Sequence, residues 1–323
     1  MDLTDLRPLA VVPFAETVTL AIGGFMTTRT MLARASVSIF LAMGSLAATQ
    51  QAGEAQEPGK VGPPLESVKT FGDDFRLVGI GVSAKGRIFA TAPSSDVRSR
   101  FSMVEVDPNT GTVTPYPDAT WNNFSERGDG KSEWISVQAL SVDKRDHLWA
   151  LDSSLPTVDQ ERLPPKLVEF DLSTNRVIRQ YDFKAVISAK DSLNDVRIDT
   201  AHDYAYLTNA GNKGSLVVLD PRTGKARQVL AGDRSTFADP SQHLMIGNEV
   251  ALRPDGSAVA VQADGIALSP DAQWLYYRPL TDHNYWRVPT AEMRDLKLSD
   301  SELAKKVEYL GNSVLSGGGA DYG

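Results

Sequence analysis

The sequence predicts an all-β fold, and three observations carry the prediction. Short strand candidates recur along the chain, a five-residue turn recurs between them, and one hairpin pattern occurs four times. The clearest stretch is LNDVRIDTAHDYAYLTNAGNKGSLVVLDPRTGKARQVL, from Leu193 to Leu230. Its strand candidates are Asn194–Ile198, Tyr204–Asn209, Gly214–Asp220 and Ala226–Leu230, rich in Val, Leu, Ile and Tyr and separated by Asp, Asn, Gly, Thr or Pro. The turn Asp220-Pro221-Arg222-Thr223-Gly224 recurs as Asp107-Pro108-Asn109-Thr110-Gly111 and, weakened, as Asp171-Leu172-Ser173-Thr174-Asn175. The first hairpin recurs as GIGVSAKGRIFATA from Gly79, ALSVDKRDHLWALD from Ala139, DVRIDTAHDYAYLTN from Asp195 and GIALSPDAQWLYYRP from Gly265. Second strands begin near Arg87, His147, Tyr204 and Trp274, a period of 57 to 70 residues. Repetition of a four-stranded antiparallel unit points to a β-propeller, with a solenoid or a two-sheet sandwich as the alternative, and so long a period implies long loops on one face.

The chain begins with 25 residues that match no targeting pattern, so Met26 or Met31 is the more natural start. Arg29 and Arg34 then form a positive region, and Ala35–Leu46 (ASVSIFLAMGSL) an apolar one, followed by small residues at Ser45 and Ala47. Residues 1–47 therefore read as a secretory signal peptide region, which places the protein outside the cell or in a periplasm. The apolar run falls short of the ~20 residues of a membrane span, so none is expected after its removal. Residues 48–70 are polar and form a flexible leader. The propeller occupies 71–311: blade 1 from Phe71 to Tyr116, blade 2 from Trp134 to Phe183, blade 3 from Leu193 to Leu230, and blade 4 from Asp264 to about Leu310. Pro117–Ser132 and Ala231–Ala263 are long insertions, the second with a short hairpin around Val250–Val261. A helical stretch, Ala291–Lys306, interrupts blade 4, and residues 312–323 form a disordered, glycine-rich tail.

Composition removes several function classes. A net charge of −8 without a basic, aromatic-interleaved stripe argues against nucleic acid as partner. The absence of cysteine removes disulfides, thiolate metal sites and cysteine nucleophiles together. Gly79, Gly81 and Gly86 lie within a hairpin rather than between strand and helix, so they are no nucleotide loop. The oligomeric state has no sequence signal.

Several long segments resemble the yellow / major royal jelly protein family in the family's order. They are WISVQALSVDKRDHLWALDSS from Trp134, KLVEFDLSTNRVIRQYDF from Lys166, SLNDVRID from Ser192, AYLTNAGNKGSLVVLD from Ala205 and DGIALSPDAQWLYYRPLTDHNYWRVPT from Asp264. The resemblance covers about Phe71 to Gly311 and implies a six-bladed propeller, of which about four blades are present here. The departure near Asn312 suggests a truncated form lacking two blades, and hence a non-functional fragment as one expectation. The resemblance also implies a small-molecule ligand in the central channel, such as a biogenic amine or a catechol-type compound.

In a propeller, residues opening the innermost strands and residues closing the second strands converge on one mouth. Here that set is Trp134, Asp152, Asn194, Asp195, Asn209, Asn212, Asp264, Asp282 and His283, a credible ligand site. His283 beside Asp282 is the candidate general base; the alternative is a surface histidine. Trp134 with Tyr285 or Trp286 is the candidate aromatic contact for an amine. Similarity to calcium-dependent gluconolactonase-like propellers implies Asn194 and Asp264 as metal ligands for Ca²⁺, and with them a lactonase-like hydrolase. The first-blade acid of those lactonases has no counterpart in Arg76-Leu77-Val78-Gly79. The other reading of Asn194 and Asp264 is that they cap strand ends.

Overall fold

The computed structural model describes residues 66–94, 99–124, 129–154 and 163–312. The chain divides into two units, Met1–Thr70 and Phe71–Gly323. The expected signal peptide, most of the leader and the tail beyond residue 312 lie outside the described residues.

The second unit is built from four-stranded antiparallel meanders. Blade 1 holds β1 (Gly79–Val82), β2 (Ile88–Thr91), β3 (Met103–Val106) and β4 (Val113–Pro115). Blade 2 holds β5 (Val137–Val142), β6 (His147–Asp152), β7 (Lys166–Asp171) and β8 (Arg176–Asp182). Blade 3 holds β9 (Leu193–Asp199), β10 (Tyr204–Asn209), β11 (Ser215–Asp220) and β12 (Lys225–Val229). In the following insertion β13 (Met245–Ile246) and β14 (Glu249–Val250) make a small hairpin. An isolated bridge, Leu252 to Ala258, falls within the range expected for that hairpin, whereas its strands lie just before it. Blade 4 holds β15 (Ala263–Leu268), β16 (Trp274–Pro279), β17 (Asn284–Pro289) and β18 (Glu308–Asn312), with α1 (Thr290–Arg294) and α2 (Asp300–Ala304) before its last strand. The helical interruption thus falls where the sequence placed it. The all-β propeller is the architecture observed.

The turns explain themselves chemically. Asp107 Oδ1 accepts from the amides of Asn109 and Thr110, both at 2.8 Å, and Asp171 and Asp220 do the same for residues two further on. Four residues after each Asp the backbone turns left-handed, at Gly111, Asn175 and Gly224 (φ 66°, 55° and 69°). Glycine and asparagine tolerate that conformation best, so the Asp…Gly/Asn spacing is a conformational requirement.

The innermost strands β1, β5, β9 and β15 lie side by side in that order, and the blades fan outward from them. One apolar cluster fills each seam. Phe89, Leu140, Leu148 and Phe170 pack between blades 1 and 2, and Trp149, Leu151, Val196 and Leu207 between blades 2 and 3. Tyr206, Leu216, Ile266 and Leu275 pack between blades 3 and 4. Alternation sorts them: Leu148 and Ala150 enter one seam while Trp149 and Leu151 enter the next. A strand buried on both faces is apolar throughout, which is why second and third strands read as continuous hydrophobic runs. Gly81 sits where a Cβ would collide with Leu140 of the next innermost strand, so the blades meet there without room for a side chain. Among the described residues no helix is long and apolar enough to cross a membrane.

Candidate functional site

The mouth is shaped by one irregularity repeated in three blades. In blade 2 Val137 pairs with Asp152 and Ala139 with Leu151, which leaves Gln138 as an extra residue. In blade 3 Leu193 pairs with Asn209 and Val196 with Leu207, so Asn194 and Asp195 face Thr208 alone. In blade 4 Ala263 pairs with Pro279 and Gly265 with Arg278, which leaves Asp264. A β-bulge re-aims a side chain that regular pleating would send into a seam. Gln138, Asn194 and Asp264 therefore hold equivalent positions in their blades.

They also touch. Gln138 Nε2 donates to Asn194 Oδ1 at 3.0 Å, and the Asn194 amide is close enough to the Asp264 carboxyl to lower its pKa. Asn194, Asp195 and Asp264, expected together from the sequence, are neighbours in the structure, and Gln138, which the sequence reading did not include, joins them. The signal that could have found it is register: aligned on their second strands, Gln138 falls in the column of Asn194 and Asp264.

Thr208 fastens the arrangement across the blade seam. Its hydroxyl accepts from Asp195 N at 3.1 Å and donates to Asp264 O at 2.8 Å. Thr91 does the same at the preceding seam, accepting from Gly79 N at 3.0 Å and donating to Gln138 O at 3.4 Å. At the corresponding position of blade 4 stands Arg278. Its guanidinium donates to the carbonyls of Leu280 and Asp282 and lies 5.2 Å from the Tyr285 ring centre.

Asp264 is half-buried, and its carboxyl is pushed up from 3.8 to about 6. Burial is the main cause and the neighbouring Asp195 carboxylate the second; the Asn194 amide and the charge of Arg278 pull the other way. Shifted carboxyls of this kind cluster at functional sites and also occur in structural networks. Asp195 itself is paired, with Arg197 Nη1 at 2.7 Å from its Oδ1.

The other expected residues are placed differently. Trp134 is 1% exposed, its indole N–H donates to Tyr116 O at 2.8 Å, and its ring packs on Trp121 and Phe170. Trp286 lies in the seam between blades 3 and 4, so no cage forms from Trp134, Tyr285 and Trp286. Asp152 is fully buried, bound to Lys166 Nζ at 2.6 Å and to the amides of Ile135 and Ser136. Asn209, also buried, accepts from Ser192 N and donates to Asp191 and Ser215. Asn212 is exposed in a turn with φ 49°. Asp282 accepts from Asp239 N at 2.9 Å and Asn284 N at 2.8 Å and so pins the preceding insertion to blade 4. His283 is exposed, and no hydrogen bond joins it to Asp282 among the described residues. Trp134, Asp152, Asn209 and Asp282 are thus engaged by backbone or core, and the adjacency that suggested a His–Asp pair is one of sequence alone.

Calcium prefers six to eight oxygen donors. Among the described residues no group of three or more His, Asp or Glu is placed to hold a metal, and a guanidinium stands near the single unpaired carboxyl at Asp264. Among the described residues the donor set around Asn194 and Asp264 does not fit Ca²⁺.

Comparison with known proteins agrees with the architecture. The family model "Major royal jelly protein" matches residues 135–321. Major royal jelly protein 6 of Apis mellifera is 30% identical over 193 residues, covering 54% of this chain and 39% of its own length. Major royal jelly protein 7 of the same species is 27% identical, over 62% of this chain and 43% of its own. Dopaminechrome tautomerase of Drosophila melanogaster is 28% identical over 36% of this chain and 27% of its own length. The chain spans about two-fifths of the length of the first two relatives.

Proposed function

The chain belongs to the major royal jelly protein family, and from that premise we propose that it binds a small organic cation of the amine or catechol-amine type at the mouth of the propeller. The observation that carries the reading is Asp264, a carboxyl held near 6 by burial and by Asp195, with Asn194 and Gln138 aligned beside it. A protonated amine placed there supplies a direct ion-pair partner for the Asp264 carboxylate, and the amide oxygens accept its remaining N–H groups. Ligand affinity then falls as pH drops through about 6. Calorimetric titration with dopamine and serotonin tests it. Heat in the wild type that is lost in Asp264→Asn supports the reading; no heat at millimolar ligand sinks it. The protein is read as exported, which N-terminal sequencing of the secreted product checks.

A second reading is favoured by the same carboxyl. One relative is a dopaminechrome tautomerase, and a tautomerisation moves a proton from carbon to oxygen with no net gain or loss. A carboxylate with a pKa near 6 is suited to taking that proton and returning it near neutral pH. Loss of dopaminechrome absorbance catalysed by the wild type and abolished in Asp264→Asn is the expected result; equal rates with and without protein would leave a binding protein only.

A further inference from the structure

The innermost strands carry a second pattern. Aligned on their partners in the second strands, Gly81, Ser141, Arg197 and Ala267 occupy one position, facing Phe89, Trp149, Tyr206 and Tyr276. One step nearer the mouth, Gly79, Ala139, Asp195 and Gly265 occupy the next. Three blades therefore place glycine, alanine or serine at both positions, where the strands approach too closely for more, as Gly81 shows. Blade 3 alone places an ion pair there.

Arg197 cannot lie in that seam as its counterparts do, and it does not: its side chain is 35% exposed on the innermost strand. Its Nη1 donates to Asp195 Oδ1 at 2.7 Å and to Val196 O at 2.8 Å. Those two bonds hold the guanidinium in place, while Nε and Nη2 make no hydrogen bond among the described residues. The remaining donors form one edge of a planar fork, carried on a residue whose Cα lies two strand positions, about 6.8 Å, from that of Asp195.

We infer that Arg197 is the specificity-determining residue of the channel, selecting ligands that carry paired oxygen acceptors at the end remote from their amine. This rests on the reading of Asp264 as the amine site. The two groups then define a ligand axis: a cation at the mouth and adjacent oxygens, as in a catechol or an ortho-quinone, on the Arg197 fork. Two neighbouring oxygens match two parallel N–H donors, and a charged donor makes each bond stronger than a neutral one would. A lysine in its place keeps the charge beside Asp195 and loses the fork. The ion pair also explains how blade 3 tolerates an arginine in a layer of small residues: Asp195 neutralises it and orients it.

The test is calorimetry at pH 7.5 with dopamine and with phenethylamine, which has the same amine and no ring oxygens. Wild type is expected to bind dopamine about ten-fold more tightly, the value of one charge-assisted hydrogen bond. Arg197→Lys should bring the two affinities within about two-fold of each other while phenethylamine binding stays as in wild type. The neutral variant Arg197→Gln, which leaves Asp195 in place, should also bring the two affinities within about two-fold of each other, and it decides the matter if Arg197→Lys fails to fold. Equal binding of the two amines by wild type, or a preference for dopamine that survives in the variants, overturns the role of Arg197 and leaves the amine site standing. Binding of neither amine by wild type overturns the amine site and this inference together.

Discussion

The two ends of the blades treat their carboxylates in opposite ways. At the end away from the mouth, Asp199 is fully buried and saturated: His202 Nδ1 stands at 2.8 Å, Arg294 Nη1 at 3.1 Å, and the amides of Ala201 and His202 at 3.0 Å. Asp143 holds Arg145, the Trp149 indole and two backbone amides. Glu169 is clasped between His147 and Arg179, each at 2.9 Å. At the mouth, Asp264 has an amide neighbour, a carboxylate neighbour and a raised pKa. The same residue type closes turns at one end, while at the other Asp264 stays underserved beside the engaged Asp152, Asp195 and Asp282. A polar group satisfied by its own chain holds the fold together, whereas one left short has bonding capacity for a ligand.

The largest test of that contrast is Asp199→Ala, which strands Arg294 and is expected to cost about 3 to 5 kcal/mol in urea unfolding. Asp152 sharpens it: it lies at the mouth yet is spent on Lys166, so Asp152→Ala should cost as much. A loss under about 1 kcal/mol in either would break the comparison.

Asp264→Asn should act in the opposite direction. Its carboxyl titrates near 6 in the folded chain against an ordinary 3.8, so the folded state holds that proton more tightly. The stability this confers is complete below about pH 4 and is lost as pH rises through 6. At pH 8 the substitution is therefore expected to stabilise by about 2 kcal/mol, with the gain vanishing at pH 4. Chemical denaturation at the two pH values reads both numbers, and a gain equal at both would remove burial as the cause.

Smaller effects complete the series. Ser299 and Glu302 cap α2 reciprocally, the Ser299 side chain accepting from Glu302 N and the Glu302 carboxylate from Ser299 N at 2.9 Å. Ser299→Ala should cost about 1 kcal/mol. His283→Ala should change stability by less than about 0.5 kcal/mol and leave amine binding intact. A lost titration heat in that variant would return His283 to the site.

Much of the fold was legible because its rules are local. The Asp-to-Gly spacing of Asp107–Gly111 and Asp220–Gly224 is a turn in sequence and a turn in space. The continuous hydrophobic run of HLWALD announces a strand buried on both faces. Asn194 and Asp264 were found because each opens an innermost strand. Gln138 was not, since a bulge depends on the pairing of two strands and leaves no mark on either alone. Trp134 and Asp152 went astray for a related reason. Proximity to the mouth was legible, but the lysine, carbonyl and rings that engage them come from other segments. A His next to an Asp in sequence likewise said nothing about where the Asp282 oxygens point.

The extra residue at one rung of three blades also sets how such a rim can diversify. Because Gln138, Asn194 and Asp264 stand outside the ladder, exchanging any of them leaves strand registration untouched. The scaffold thus offers interchangeable sockets around a fixed frame, where one side chain can be swapped while the blades go on assembling as before.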